Sequence, residues 1–356
     1  MRATSRVARA VVLGVTLATA ANVPGAGASV SSAASPPPRI GMRTVTFVDR
    51  SRSTRATKYH RKAESSRTLV TSIWYPADRH GRPLRSGRPF PVVLYSHGTG
   101  GDGQHLPPDA PAWVKAGYVV VSPTYPLSTS VSCARARAIG VAPKYADGSA
   151  ARCRRGQRVE MSGPDSIVDI PEEPGDAHFV LDQVLRSNRD RKSWMHGLID
   201  STRIGAAGHS QGAVTTVAFT HSDNLRDSRV KASVVESGCA FNTKSTGFFH
   251  SPGTPPLLLV HGDSDRTVPY SCSDGEYPKA AAPKAFVTLH NTTHNFQLVT
   301  SRYRINWCRD PAGAIECRVS LDFLDAYLKH DRHALDRLRH DADVPGIASL
   351  QIDVRG

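Results

Sequence analysis

The chain has 356 residues, 39% of them apolar and 21% charged, six cysteines and a formal net charge of +14. This length allows a substantial core that needs neither metal nor disulfide to fold, and the strand–helix alternation along it never breaks into two patterns, so one domain is expected. The positive charge suits solubility and anionic surfaces or polymers. It is spread along the sequence with no basic helix and no RNA-reading motif, which argues against nucleic acid as a partner.

Residues 1–28 read as a signal peptide. Arg2, Arg6 and Arg9 make a positive start, Ala10 to Ala21 is a short apolar stretch, and Ala26-Gly27-Ala28 is a small-residue cleavage site. The stretch is too short to span a membrane, and no later one approaches that length, so stable membrane insertion is not expected. Residues 29–41, rich in Ser, Ala and Pro at their start, read as a disordered leader into a domain over 42–356.

Arg43 to Val48 and Arg67 to Tyr75 are the first two expected strands, and Pro91 to Tyr95 the third. The third runs into Ser96-His97-Gly98-Thr99-Gly100-Gly101, where glycines let a backbone come close to a bound group. A short helix over Ala110 to Lys115 leads to a fourth strand, Tyr118 to Ser122. The stretch from Pro126 to Gly175 is then an extra segment. It holds Cys133, Cys153 and a basic cluster of Arg135, Arg137, Lys144, Arg152, Arg154, Arg155 and Arg158, which reads first as a solvated loop. Residues 176–186 carry Phe179, Val180, Val184 and Leu185 at helical spacing.

Arg203 to Ala207 is a short apolar strand, Gly208-His209-Ser210-Gln211-Gly212 follows, and Ala213 to Phe219 is a buried helix. Strand, Gly-x-Ser-x-Gly, helix is the context of a nucleophile elbow, with Ser210 lifted out of the sheet. Ala232 to Val235 is the sixth strand, ahead of Cys239. Leu257 to Val260, a continuous apolar run, is the seventh and leads into His261-Gly262-Asp263-Ser264-Asp265, with Cys272 beyond. Ala285 to Leu289 is the eighth, followed by His290 and His294. Cys308 and Cys317 bracket a turn at Asp310-Pro311-Ala312-Gly313, and a last helix covers Val319 to Lys329.

A serine hydroxyl needs a base to remove its proton during attack, and a carboxylate to orient that base. Ser210, Asp265 and His294 supply these groups in the order Ser, Asp, His. Asp263 is the alternative acid, and Asp265 is preferred because Asp-x-x-Val-Pro begins there. His290 is the nearest alternative base and is read as structural, as is His261. The backbone N–H groups of Thr99 and Gln211 are the expected oxyanion-hole donors. No pair of cysteines or histidines has the spacing of a metal motif, so neither a metal nor a cofactor is expected.

Trp74-Tyr75-Pro76, Pro91 to Gly101, Arg203 to Gly212, Leu257 to Pro269 and the helix Asp176 to Leu185 together resemble a secreted bacterial α/β-hydrolase of the platelet-activating-factor acetylhydrolase and dienelactone-hydrolase-like branch. The resemblance implies a mostly parallel eight-stranded sheet with helices on both faces. In that fold Cys239 and Cys272 both lie beyond strand ends on the catalytic face. The expected disulfides are 133–153, 239–272 and 308–317, with the first pinning the extra segment near the active site. The implied activity is hydrolysis of short-acyl carboxylic esters by an exported monomer that takes small-molecule or lipid esters. Polyester or phospholipid cleavage, acyl transfer, peptidase action and an inactive binding protein are the competing readings.

Overall fold

A computed structural model describes residues 37–57, 63–85, 87–129, 169–240, 247–249, 252–300 and 307–355, with the backbone alone of 131–132 and 158–159. The expected signal peptide, the basic cluster and the 133–153 pairing lie outside the described residues.

The main sheet contains β1 (Arg39–Asp49), β2 (Arg67–Ala77), β3 (Phe90–Ser96) and β4 (Val119–Pro123). Two short strands, β5 (Val131–Ser132) and β6 (Arg158–Val159), pair only with each other. The main sheet resumes with β7 (Ile199–His209), β8 (Val230–Glu236), β9 (Leu257–Gly262), β10 (Lys284–Leu289) and β11 (Ala348–Asp353). Its order is β1-β2-β4-β3-β7-β8-β9-β10-β11. The run from β4 to β10 is parallel throughout, and antiparallel pairs occur only at β1–β2, β2–β4 and β10–β11.

The central strands are apolar on both faces because both faces are covered. Val93, Tyr95, Ala207, Val234 and Val260 pack beneath helices α1 (Ala110–Lys115) and, later in the chain, Pro311–Leu328. Val92, Leu94, Ile204 and Ala206 turn the other way, against α2 (Glu173–Arg189). The helix after β7, α3 (Gln211–His221), covers the neighbouring strands on that second face through Ala213 and Val217. A short α4 (Ser271–Glu276) follows β9; Pro311–Leu328 is α5 and Ala334–Ala342 is α6. This is the α/β-hydrolase arrangement.

Three expectations need correction. The sheet has nine strands, not eight: β11 adds an antiparallel edge to β10 through Ala348, Leu350 and Ile352, which alternate with more exposed neighbours. Such a half-covered edge strand lacks the continuous apolar run of the central ones. The last expected helix begins earlier, at Pro311. Asp310 caps it by accepting from the Ala312 N–H at 3.1 Å with proline at the first position, so the presumed turn is the first helical turn. Finally, β1 begins at Arg39, inside the stretch expected to be leader.

The connections decide where a ligand site can form. After β3 the chain crosses to β4 on one side, and after β7 it crosses to β8 on the other. The gap between the C-terminal ends of β3 and β7 is therefore the topological switch point, where open α/β sheets bind ligands.

Candidate active site

Ser210 stands at that point, between the last residue of β7 and the first of α3. Its φ of 57° is left-handed, a conformation that costs a non-glycine residue energy and that here turns the chain sharply from strand to helix. Its N–H donates to the Glu236 carbonyl of β8 at 2.9 Å, which fixes the turn to the sheet. The turn closes only because α3 can back onto the strands. A Cβ on Gly212 would collide with the Ser96 carbonyl at the end of β3, and one on Gly208 with the Gly212 backbone. The Ser210 hydroxyl has no hydrogen-bond partner among the described residues.

Asp265 follows β9. Its Oδ1 accepts from the Thr267 and Val268 N–H groups at 2.7 and 3.0 Å. Its Oδ2 accepts from His294 Nδ1 at 2.6 Å and from His261 Nε2 at 3.1 Å. Burial alone would raise this carboxyl, but the donors from His261, His294 and the backbone outweigh it and hold the pKa well below the usual carboxylate range. Asp265 is thus an anion at any pH near neutral, placed to keep the proton on His294 Nδ1 and leave Nε2 as the acceptor.

His294 itself sits in a tight loop after β10, with Thr293 N–H bonded to the Gln297 carbonyl at 2.8 Å. His209, the residue before the serine, donates from Nε2 to the His294 carbonyl at 2.8 Å, and its ring lies 4.8 Å from that of His294. A carbonyl only accepts, so His209 carries its proton on Nε2. Burial, then the nearby His294, pushes its pKa down to about 3, so the ring stays neutral. Trp307 and Phe296 pack against the same ring at 4.9 and 5.7 Å.

Asp263 and His290, the alternative acid and base, lie apart from this cluster. His290 Nδ1 bonds to Asp263 Oδ2 at 3.0 Å and its Nε2 reaches Ser349 at 3.1 Å, so the competing acid and base pair with each other beside β11. His261 is fully buried and touches Asp265, Ser273 and the Val268 carbonyl, in keeping with a structural part.

Gln211 opens α3, so its N–H lies at the positive end of the helix dipole. The loop after β3 comes across the elbow: a Cβ on Gly98 would lie 3.2 Å from Ser210 Cβ. His97 steadies this loop. Its Nε2 accepts from the Tyr125 N–H at 3.1 Å, which leaves Nδ1 to donate to the Gly98 carbonyl at 2.8 Å. The Thr99 N–H has no acceptor among the described residues, and the Thr99 hydroxyl donates to Gln211 Oε1 at 2.6 Å.

Several buried charged residues near the site were missed in the sequence. Glu173 at the start of α2 bonds to Gln211, Ser128 and Thr215, and burial pushes its carboxyl up to about 8. Arg67 of β2 is ion-paired with Asp169 and Asp176 at 3.0 and 2.5 Å, all three buried. Both described ends of the extra segment are therefore rooted in the core behind Gln211. On the opposite face Asp109, Glu236 and Glu316 lie within 4.8 Å of one another, fully buried. Burial pushes Asp109 to about 7 and the other two well above the ordinary range. Three carboxyls this close and this buried favour their protonated, uncharged forms. Proximity in the sequence gives no sign of the Asp109, Glu236 and Glu316 group, because its members come from the cap of α1, from β8 and from α5.

Cys239 and Cys272 are bonded, with Cα atoms 5.7 Å apart, and so are Cys308 and Cys317, at 5.9 Å. The first bond ties the chain after β8 to α4, beyond the Asp265 loop. The second holds the turn carrying Trp307 to α5. No helix of the described residues is long and apolar enough to cross a membrane.

Residues 200–296 match a protein-family model described as Serine hydrolase (FSH1); the stretch runs from β7 through Ser210, Asp265 and His294. No curated protein matches the chain. Among solved structures, a ferulic acid esterase from Streptomyces cinnamoneus is similar in fold, with a TM-score of 0.57 at 19% identity over 85% of this chain and 93% of that one. The sheet order and this likeness give the chain the α/β-hydrolase fold, and the stretch that carries Ser210, Asp265 and His294 is the one that matches a serine-hydrolase model.

Proposed function

We propose that the chain hydrolyses carboxylic esters through an acyl-serine intermediate, with Ser210 as nucleophile, His294 as base and Asp265 as its orienting acid. The observation that carries this is the 2.6 Å bond from Asp265 to His294 Nδ1, beside a serine held on a left-handed elbow. In this reading His294 Nε2 takes the Ser210 proton as the hydroxyl oxygen attacks the ester carbonyl. The Thr99 and Gln211 N–H groups receive the negative charge on the carbonyl oxygen. The protonated His294 then gives its proton to the departing alcohol, and a water activated by the same ring releases the acid. Asp265 stabilises the imidazolium without taking a proton.

The protein acts outside the cytoplasm as a monomer. The N-terminal sequence pattern and the even number of cysteines support export. The resemblance to the platelet-activating-factor acetylhydrolase and dienelactone-hydrolase-like branch favours short acyl chains. The fold shared with a ferulic acid esterase adds hydroxycinnamate esters to the substrates worth testing.

Labelling with a fluorophosphonate, followed by peptide mapping, tests the nucleophile: the label is expected on Ser210, and Ser210→Ala should lose activity by about a million-fold. Turnover like the wild type in that variant would sink the assignment. A p-nitrophenyl ester series from acetate to palmitate, run beside ethyl ferulate, tests the substrate. A maximum at long chains with interfacial activation would replace the short-acyl reading with a lipase.

A further inference from the structure

The side chains of the two oxyanion-hole residues proposed above are joined to each other and to a buried carboxyl. Thr99 Oγ1 donates to Gln211 Oε1 at 2.6 Å. The other end of that amide, Gln211 Nε2, donates to Glu173 Oε1 and to Ser128 Oγ, each at 2.6 Å. The hydroxyls of Ser128 and Thr215 also donate to the Glu173 carboxyl. Glu173, Ser128 and Thr215 have no exposed surface, while Thr99 is exposed at the outer end of the chain of bonds.

This arrangement has a mechanical consequence. Oxyanion stabilisation depends on donors preset at hydrogen-bond distance from an oxygen that becomes negative only in the transition state. One donor here starts a helix and the other lies on an exposed loop. Gln211 has an amide that would swing if unbound. Held at its nitrogen end by a carboxyl rooted in α2, it offers a fixed oxygen to the Thr99 hydroxyl, and so fixes the loop carrying the second N–H.

We propose that Glu173 is a positioning residue for the oxyanion hole, acting through Gln211 and Thr99; the proposal rests on the serine-hydrolase mechanism above. Glu173 touches neither the substrate nor the reacting atoms.

The test uses the full chain with Glu173→Ala, Glu173→Gln and Thr99→Val, assayed on p-nitrophenyl acetate, with active sites counted by fluorophosphonate titration. Glu173→Ala should lower kcat per labelled serine by roughly ten- to a hundredfold with KM changed less than about twofold, because the lost interaction belongs to the transition state. Glu173→Gln keeps the shape and one acceptor and should recover most of that loss. Thr99→Val keeps the backbone N–H, loses only the tie, and should lower kcat in the same direction. Combining it with Glu173→Gln should cost less than the product of the two. A purely structural Glu173 would lower Tm and the labelled fraction but leave kcat per labelled serine unchanged; that result, or a loss confined to KM, overturns the proposal. If Glu173→Ala does not fold, wild-type kcat in Thr99→Val overturns it equally. A wild-type chain that takes no label removes the nucleophile assignment, and the proposal with it.

Discussion

Asp265 and Asp263 lie in one loop, and their partners separate their roles. Asp265 receives two backbone N–H groups and two imidazoles, whereas Asp263 receives the Asn291 N–H at 2.7 Å and the ring of His290. Asp265→Asn should therefore leave His294 in the wrong tautomer and lower kcat by about ten-thousandfold, as expected when a triad acid loses its charge. His294→Ala should cost more, up to about a million-fold. Asp263→Asn and His290→Ala should each keep most of the activity. Steady-state kinetics of the four variants on one ester decides it, and the reverse ranking would move the acid and base to Asp263 and His290.

Among the elements, the two described disulfides differ in the loop they close, with sequence separations of 33 for Cys239–Cys272 and 9 for Cys308–Cys317. In the chain-entropy picture the longer loop contributes about 4 kcal/mol and the shorter about 3 kcal/mol. Replacing Cys239 and Cys272 by serine should thus lower stability more than replacing Cys308 and Cys317. Urea unfolding of the two double variants measures the difference, and a greater loss from the short loop would show that native-state packing around Trp307 outweighs the entropy. The elements that were readable in advance are those with an uninterrupted signal. β3 and β9 are buried along almost their whole length, and α3 follows the elbow directly. β11 was not readable: its alternating exposure is the weak pattern of an edge strand, and it needs β10 beside it to be a strand at all.

For the whole molecule, stability should depend on pH through its buried acids. Asp109 is pushed to about 7, Glu276 to about 7 and Glu173 to about 8, and Glu236 and Glu316 are raised well above the ordinary carboxylate range, in each case chiefly by burial. A carboxyl raised in this way is at no disadvantage below its unfolded pKa of about 4, and destabilises the fold increasingly as pH rises toward the folded value. His209 and His221, lowered by burial to about 3 and about 4, work in the opposite sense. They weaken the fold as pH falls below about 6.5, where the unfolded imidazole takes up a proton. The two sets oppose each other between about pH 4 and 6.5; above that the raised carboxyls weaken the fold further, as does His178, whose pKa, against its burial, the bonds to Asp227 and Leu225 raise. Tm should therefore fall from pH 7 to pH 9. Glu173→Gln, which keeps the shape without the titration near pH 8, should reduce the slope by up to about 1.4 kcal/mol per pH unit. Calorimetry across that range is the measurement, and a Tm that rises toward pH 9 would contradict the protonated cluster.

Local sequence was enough to place the elbow at Ser210, the strand ends carrying Asp265 and His294, and the glycine loop at Thr99, because each is a short signal: an apolar run, then a turn residue, then a chemical group. The sequence also determined the class of fold, since buried parallel strands alternating with helices have few ways to pack. Only the tertiary structure decided which of two acids faces which of two histidines. It alone joined Thr99 and Gln211 to Glu173, and brought Asp109, Glu236 and Glu316 together. Those contacts link residues far apart in the chain, and their energies come from burial and from hydrogen bonds that exist only once the sheet and its helices have closed around them.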